Sequence, residues 1–243
     1  MNPTGAEISE LDTARFGIRV ARAADFDAVD VAPLVAWCRE GGVRLLIARC
    51  PSSRPGAAHA MESAGGRLMD TLVYWSRDLE RRPFEAAAGK RPVRPATAGD
   101  RSRLSEVARA SFNGYYGHYH ADPRLDPAAA TEGYADWALR LLAGSGPDST
   151  VLLAEEEGRP MGFGVFVQRE GQACDFLLAG VDPAAQGGGL YRAILSGGME
   201  WATAAGCRRI YSSTPITNLG VQKVWARLGM ELSDAVYTFH LWL

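Results

Sequence analysis

Several patterns that would assign a function at once are missing from this 243-residue sequence. It has no run of about 18 apolar residues, which predicts no membrane-spanning helix. The polar amino terminus lacks the apolar segment of a signal peptide. The formal net charge is −2 and the sequence pI is about 6.1, so nothing predicts binding to nucleic acid or to a membrane. We therefore expect a cytoplasmic protein.

The cysteines exclude two further classes. Cys38, Cys50, Cys174 and Cys207 are scattered, without a C-x-x-C pair and without paired histidine spacing. This pattern predicts neither a metal site nor a disulfide framework. An apolar content of 47% and a charged content of 22% are ordinary for a globular protein with a sizeable core, in one large or two small domains.

Charge, proline and glycine concentrate at residues 80–103. This composition predicts a linker at 86–91, between an amino-terminal domain at 1–85 and a carboxy-terminal domain at 92–243. The two parts share a repeat. A shift of 164 residues aligns Trp37–Leu79 with Trp201–Leu243 without a gap and with nine identities, and both copies run helix, strand, helix, strand. We interpret the first part as a partial copy of the second.

A glycine loop is the most informative local pattern. The strand Gln172–Val181 leads through Asp182-Pro183 to Gly187-Gly188-Gly189, and a helix is predicted from Leu190 to Ala205. Glycines before a helix aim backbone N–H groups at one anion, although a simple tight turn has the same composition. No lysine follows the glycines, which excludes a Walker A loop, and the spacing fails G-x-G-x-x-G. The first copy has no such loop.

This loop resembles the acetyl-CoA loop of the GNAT N-acetyltransferases, V-x-P-x-x-[RQ]-G-x-G-x-[GA]. Val181, Pro183, Gln186, Gly187 and Gly189 match it, whereas the last small residue is Tyr191 here. The resemblance implies acetyl-CoA as cofactor, and it implies that the strand before the loop splays from its neighbour. The cofactor-binding residues it implies are Leu178, Ala179, Gly180, Val181, Gln186, Gly187, Gly188, Gly189, Leu190, Tyr191 and Asn218.

The element order of the second part is also that of the GNAT fold, β-α-α-β-β-β-α-β-α-β. The expected fold class is α/β (α+β), a GNAT fold with a mixed, mostly antiparallel sheet, preceded by a truncated GNAT-like domain. The predicted helices and strands, in order, are Val93–Thr97, Arg101–Phe112, Thr131–Ala143, Thr150–Glu155, Arg159–Gln168, Gln172–Val181, Leu190–Ala205, Arg208–Thr214, Leu219–Leu228 and Glu231–Leu243. Glu157-Gly158 and Glu170-Gly171 predict two hairpin turns.

The family chemistry is amine attack on a thioester, which uses an oxyanion donor, a base and an acid. By resemblance, the donor is a backbone N–H near Leu178–Gly180 and the base is Asp175, which is otherwise a solvated carboxylate. The family's acidic tyrosine falls on Trp225, which has no proton to yield at neutral pH. Tyr191 and Tyr211 are substitute candidates. Asn218 resembles a pantetheine contact and is also a helix N-cap candidate.

An aromatic cluster follows the first helix of the second part. Its rings and imidazoles suit an acceptor site, although a surface-packed loop explains them too. The residues predicted to bind the acceptor are Tyr115, Tyr116, His118, Tyr119 and His120. Together with Leu11-Asp12 and Phe16-Gly17, this cluster resembles two-domain GNAT enzymes related to dTDP-fucosamine acetyltransferase.

We therefore expect an N-acetyltransferase acting on a small-molecule amine, an amino deoxysugar carried on a nucleotide in the first instance. The alternatives are another amine (an antibiotic intermediate, an aminoglycoside or a peptide) and a non-catalytic coenzyme A sensor. The sequence leaves a homodimer open.

Overall fold

A computed structural model describes residues 5–81 and 91–243. Within them, ten strands form one sheet in the order β1-β2-β3-β10-β4-β9-β8-β7-β6-β5. The strands are β1 (Glu7–Ile8), β2 (Val20–Ala24), β3 (Leu45–Pro51), β4 (Arg67–Asp78), β5 (Val93–Pro95), β6 (Ser149–Glu156), β7 (Arg159–Arg169), β8 (Ala173–Val181), β9 (Arg209–Pro215) and β10 (Glu231–Trp242). The helices are α1 (Glu10–Phe16), α2 (Val31–Glu40), α3 (Pro55–Ser63), α4 (Arg101–Phe112), α5 (His118–Ala121), α6 (Pro127–Ala143), α7 (Leu190–Ala204) and α8 (Leu219–Arg227).

The sheet is mixed and mostly antiparallel, as predicted. Only β2 with β3 and β8 with β9 are parallel neighbours among the strands of the described residues. Helices α4 and α6 pack on one face of β6–β8, with Leu104 and Val165 in the shared core. Helix α7 packs on the other face, with Ile194 and Phe166 in the core there. Alternate strand residues point to opposite faces, so each strand contributes to both cores.

The repeat predicted from the sequence is visible in the way the strands of the sheet are paired. Leu72 of β4 pairs with Val236 of β10, and these residues are 164 positions apart. Leu45 pairs with Trp242 and Asp78 pairs with Arg209, so the 164-residue shift converts one pair into the other. These strands are therefore related by a pseudo-twofold axis. Each half gives its last strand to the other half, because β10 lies beside β3 and β4 lies beside β9.

The halves differ before the repeat begins. In the parallel pairs, Val20 stands opposite Leu45 and Ala173 stands opposite Arg209. These parallel partners are 25 positions apart along the chain in the first half and 36 positions apart in the second. The extra residues of the second half hold the glycine loop, which the first half lacks.

The element order of the second half is confirmed, with one addition and two boundaries that shift by more than one residue. Helix α5 was not predicted, because four residues carry no periodic signal. Helix α6 begins at Pro127, four residues before the predicted start. Asp126 caps it by accepting a hydrogen bond from Ala128, and proline suits the first helical position. Strand β5 ends at Pro95, because the next residues form a capped turn that leads into α4.

Both predicted hairpins are present. Glu157 and Gly158 adopt positive φ angles of 52° and 75°, as tight hairpin turns require. In the second hairpin the positive angles fall on Gly171 and Gln172, at 74° and 60°.

Residues 82–90, which include most of the predicted linker at 86–91, lie outside the described residues. The domain boundaries at 85 and 92 remain a prediction. No helix of the described residues is long and apolar enough to cross a membrane. All four cysteines are buried and free.

Candidate active site

The two central parallel strands separate partway along their length. Strand β8 pairs with β9 only from Ala173 to Phe176, opposite Arg209 to Ser212. Beyond that point β8 continues beside β7 alone, and β9 continues beside β4. A bulge at Leu177 accompanies the separation, since the register with β7 shifts there. One edge of β8 after Phe176 is thus unpaired in the middle of a sheet, where backbone groups need a partner.

The glycine loop lies at the end of this opened strand. Gln186 is extended and its side-chain amide donates to the Val181 carbonyl at 3.3 Å, which holds the loop against the strand. Gly187 and Gly189 have φ angles of 80° and 85°, a conformation that a β-carbon disfavours. Helix α7 starts directly after Gly189.

The amides of this loop are free to accept a ligand. The N–H groups of Gly187, Gly188 and Gly189 have no hydrogen-bond acceptor within the described ranges. They precede the amino-terminal end of a 15-residue helix, whose first N–H groups and dipole also favour negative charge. Arg192, in the first turn, is exposed. The donor set therefore fits a diphosphate.

Arg91 adds a cation that the sequence did not single out. Its guanidinium lies 3.2 Å from where a β-carbon on Gly188 would stand, and it forms a 2.5 Å ion pair with Glu156. In the sequence Arg91 belongs to a run of basic and proline residues that predicts only a linker. Its position beside the loop arises from the pairing of β5 with β6.

A cavity of about 410 Å³ adjoins the opened strand and is lined by both halves. Phe176, Leu177, Leu178 and Ala179 of β8 form one side. The predicted cofactor residues Gly180 and Val181 do not line it. Gly180 lies under α4, where an added β-carbon would collide with Ser111, and Val181 is buried where the strand meets the loop.

Tyr191 and Trp225 meet at the cavity wall. The Trp225 indole N–H donates to the Tyr191 hydroxyl at 3.0 Å. Trp225 is 1% exposed, and burial raises the pKa of Tyr191, so the phenol is protonated at neutral pH. Because Trp225 supplies one hydrogen bond, the Tyr191 proton is available to another acceptor.

Asn218 caps helix α8, as predicted, by accepting from the Val221 N–H at 3.4 Å. Its amide donates to Thr214 at 3.0 Å, and both residues line the cavity. Whether Asn218 contacts pantetheine stays a prediction.

Asp175 and Tyr211 lie elsewhere. They face each other across β8 and β9 in the paired part of the strands and do not line the cavity. Asp175 forms a 2.8 Å ion pair with Arg169. The prediction of Asp175 as base and of Tyr211 as acid has no support from position, and both stay predictions.

The aromatic segment divides between cavity and surface. Tyr115, His118 and Tyr119 line the cavity. Tyr116 is 59% exposed, and His120 contacts Thr131 at 3.4 Å without lining the cavity. Phe112 and Tyr134 join the aromatic wall as a stacked pair with ring centroids 4.5 Å apart.

Behind His118 runs a buried polar chain. His118 Nδ1 is 3.0 Å from His240 Nε2, and His240 Nδ1 is 2.8 Å from Asp122 Oδ2. Trp242 donates to the same carboxylate oxygen at 2.8 Å. Burial alone would raise the pKa of Asp122, but the His240 and Trp242 hydrogen bonds lower it to about 2. Burial holds the pKa of His118 well below its usual value, so this imidazole is neutral at pH 7.

The amino-terminal half supplies the charged wall of the cavity, which the sequence did not predict. Arg22 pairs with buried Asp12 at 2.6 Å and donates to the Tyr119 hydroxyl, which fixes α1 against the aromatic segment. Arg49 and Asp70 also line the cavity. Within the described part of the chain, no cluster of three metal-ligating side chains is found.

Comparison with known proteins finds similarity to a curated sequence, to solved structures and to one family model. The curated "Spore coat polysaccharide biosynthesis protein SpsD" of Bacillus subtilis is 24% identical over 202 residues, which is 81% of this chain and 66% of that protein. The chain thus spans just under two thirds of that relative.

Two solved structures share the fold. A GCN5-related N-acetyltransferase from Sphaerobacter thermophilus has a TM-score of 0.68 at 14% identity, covering 98% of this chain and 76% of its own. A tandem GNAT protein from the clavulanic acid biosynthesis pathway has a TM-score of 0.64 at 14% identity, covering 92% and 75%. The model of the Acetyltransferase (GNAT) family matches residues 107–230, just over half of the chain. The chain therefore belongs to the GNAT family of acetyltransferases.

Proposed function

We propose that this protein uses acetyl-CoA to acetylate the primary amine of a small molecule, and that the acceptor is an amino deoxysugar linked to a nucleotide. The observation that carries the proposal is the unpaired edge of β8 running into the glycine loop. A cofactor with a diphosphate at one end and a thioester at the other fits along that path.

Acetyl-CoA supplies an activated acetyl group and a thiolate leaving group. The amides of residues 187–191, with Arg91 beside them, hold the diphosphate. The open edge of β8 would hold pantetheine through its unpaired backbone groups, and Asn218 would border it. A backbone N–H near Leu178–Gly180 stabilises the oxyanion that forms during attack.

Tyr191 is the acid in this scheme. The Tyr191 hydroxyl would donate its proton to the departing thiolate, and the Trp225 N–H would stabilise the resulting phenolate oxygen. Trp225 stands where many relatives have an acidic tyrosine, so here it would act through Tyr191. The Tyr191 proton is then restored from solvent.

The acceptor side suits a sugar that carries phosphate. Aromatic rings such as Tyr115 and Tyr134 offer faces for stacking on a sugar or a base. Three arginines (Arg15, Arg22 and Arg49) stand against the two carboxylates of Asp12 and Asp70, which leaves one net positive charge that favours an anionic acceptor over a polycationic aminoglycoside. The name of the Bacillus subtilis relative, a polysaccharide biosynthesis protein, is consistent with a sugar.

A non-catalytic coenzyme A sensor is the second candidate, because Trp225 replaces the family's acidic tyrosine. One experiment separates the two. Purified protein is incubated with acetyl-CoA and a pool of amines that includes dTDP-linked amino sugars, and products are identified by mass spectrometry. An acetylated nucleotide sugar supports the proposal. Tight acetyl-CoA binding without any acetylated amine supports the sensor.

A further inference from the structure

Asp70 is a half-buried residue at the cavity wall whose carboxylate oxygens are buried. It belongs to β4 of the amino-terminal half, yet it lines the same cavity as Leu178 and Ala179 of β8. Both of its oxygens are buried, and neither has a hydrogen-bond partner among the described residues. A buried carboxylate left unpaired costs several kcal/mol, so such a group calls for a functional explanation.

Two more unpartnered groups lie in the same row. Thr238 of β10 pairs with Arg49 of β3 on one side and with Asp70 on the other, so the three side chains stand on one face across three adjacent strands. Arg49 Nε and the Thr238 hydroxyl are also buried without a hydrogen-bond partner within the described ranges. Asp70 and Arg49 thus present an acceptor and a donor at the cavity wall, and the fully buried Thr238 lies on the strand between them.

We propose that Asp70 and Arg49 form the acceptor subsite: Asp70 binds the acceptor ammonium and takes its proton, and Arg49 binds an oxygen on the neighbouring carbon. The inference rests on the proposed function and narrows it to vicinal amino alcohols, the arrangement found in amino sugars. The amine then faces β8, where the thioester carbonyl would lie.

The proton balance is complete without a further reactant. Asp70 takes one proton from the ammonium and passes it to solvent. The neutral nitrogen attacks the thioester carbon, the C–N bond forms, and the C–S bond breaks as the oxyanion collapses. The sulfur receives a proton from Tyr191, and the second nitrogen proton leaves through Asp70, after which solvent reprotonates Tyr191.

The surroundings of Asp70 favour a base of moderate strength. Burial raises its pKa, while Thr238 and the charges of Arg49 and His240 act in the opposite direction. The groups that face it are Arg22 of β2, Arg49 of β3, Thr238 and His240 of β10, His118 of α5, Tyr115 between α4 and α5, and Tyr134 of α6. A carboxylate whose pKa lies above 3.8 accepts a proton more readily than an ordinary one.

The test compares Asp70→Asn with Asp234→Asn. Asp234 is the counterpart of Asp70 in the repeat and is exposed on β10, which makes it a matched control. With acetyl-CoA and a dTDP-linked 4-amino-4,6-dideoxyhexose, kcat/KM of Asp70→Asn should fall about 100-fold or more. The Asp234→Asn enzyme should keep the wild-type value. The acetyl-CoA Kd should be the same in all three proteins.

The melting temperature distinguishes a catalytic role of Asp70 from a purely structural role. Because the Asp70 carboxylate is buried and unpaired, Asp70→Asn should leave the melting temperature unchanged or raise it while activity falls. A lower melting temperature together with weaker acetyl-CoA binding would overturn the inference. Activity within about threefold of wild type would overturn it too, since removing a general base costs far more.

A binding measurement keeps the inference separate from the proposed function. By calorimetry, the wild type should bind the amino sugar nucleotide more tightly than its 4-hydroxy counterpart, and Asp70→Asn should lose this preference. If the wild type shows the preference but transfers no acetyl group, the proposed function fails and the subsite stands. If neither protein discriminates, the subsite is refuted.

Discussion

Replacing Tyr191 by phenylalanine deletes one hydroxyl group at the junction of α7, α8 and the cavity. The hydroxyl accepts a 3.0 Å hydrogen bond from Trp225 and holds the proton that we assign to the departing thiolate. The ring keeps its place, because it packs beside Phe176 with centroids 6.0 Å apart. Two quantities should therefore change together, the rate of acetyl transfer and the free energy of unfolding.

The magnitudes follow from the two roles. Loss of a general acid lowers kcat about 10²-fold to 10⁴-fold, so we expect at least a 100-fold decrease. The Trp225 N–H is left without its partner at a site 1% exposed, which costs about 1–3 kcal/mol of stability. For a chain of this size that corresponds to a melting temperature lower by several degrees.

A double-mutant cycle separates the hydrogen bond from packing. Tyr191→Phe, Trp225→Phe and the double variant are unfolded in urea, and kcat is measured for each. Tyr237→Phe serves as the control, because Tyr237 packs in the amino-terminal core, away from the cavity. We expect a coupling energy of about 1 kcal/mol between Tyr191 and Trp225, and no recovery of kcat in the double variant.

Full activity in Tyr191→Phe would show that the thiolate leaves without this proton. Additive stability changes would show that the hydrogen bond contributes nothing. The first result would refute Tyr191 as the acid, and the second would refute a stabilising hydrogen bond between Tyr191 and Trp225.

Three further predictions concern the loop, its cation and the buried chain. Valine at both Gly187 and Gly189 should abolish acetyl-CoA binding in calorimetry while the circular dichroism spectrum is kept, because positive φ angles of 80° and 85° exclude a branched side chain; unchanged affinity would contradict the loop site. Arg91→Ala should weaken acetyl-CoA binding about tenfold, and this loss should shrink at high salt, whereas a salt-independent loss would argue against a phosphate contact. Asp122→Asn should cost about 2 kcal/mol of unfolding free energy at pH 7, because a folded-state pKa of about 2 lies below 3.8. That contribution is present above pH 3.8 and is lost as the pH falls toward 2, so an equal cost at pH 7 and pH 3 in urea unfolding would refute it.

The sequence predicts what is encoded locally. Gly187 and Gly189 are read directly, because few residues adopt positive φ before a helix and an anion site needs open backbone. The element order follows from apolar periodicity and from punctuation by glycine and proline. Gly42 and Gly206 follow the equivalent helices α2 and α7, and matches of this kind reveal the repeat.

Contacts that depend on the exchange of strands between the two halves could not be predicted from the sequence. Asp70 and Thr238 are separated by 168 positions, and only the insertion of β10 between β3 and β4 makes them neighbours. No site residue was predicted in the first half. The charged residues with which that half lines the cavity became visible only in the fold.

The choice of acid illustrates a different limit. Trp225 at the family's acid position looks like a loss of function when each position is considered alone. Its N–H contacts Tyr191, which itself departs from the family's loop pattern, so the two departures are in direct contact. A single sequence does not reveal that the two residues touch, since they are 34 positions apart.

The crystal structure of the acetyl-CoA complex tests the central claim most directly. We expect diphosphate oxygens 2.7–3.2 Å from main-chain nitrogens of residues 187–191, the ordinary range for N–H···O hydrogen bonds. We also expect the thioester beside Leu178 and Ala179. A diphosphate bound anywhere else on the protein would contradict the account.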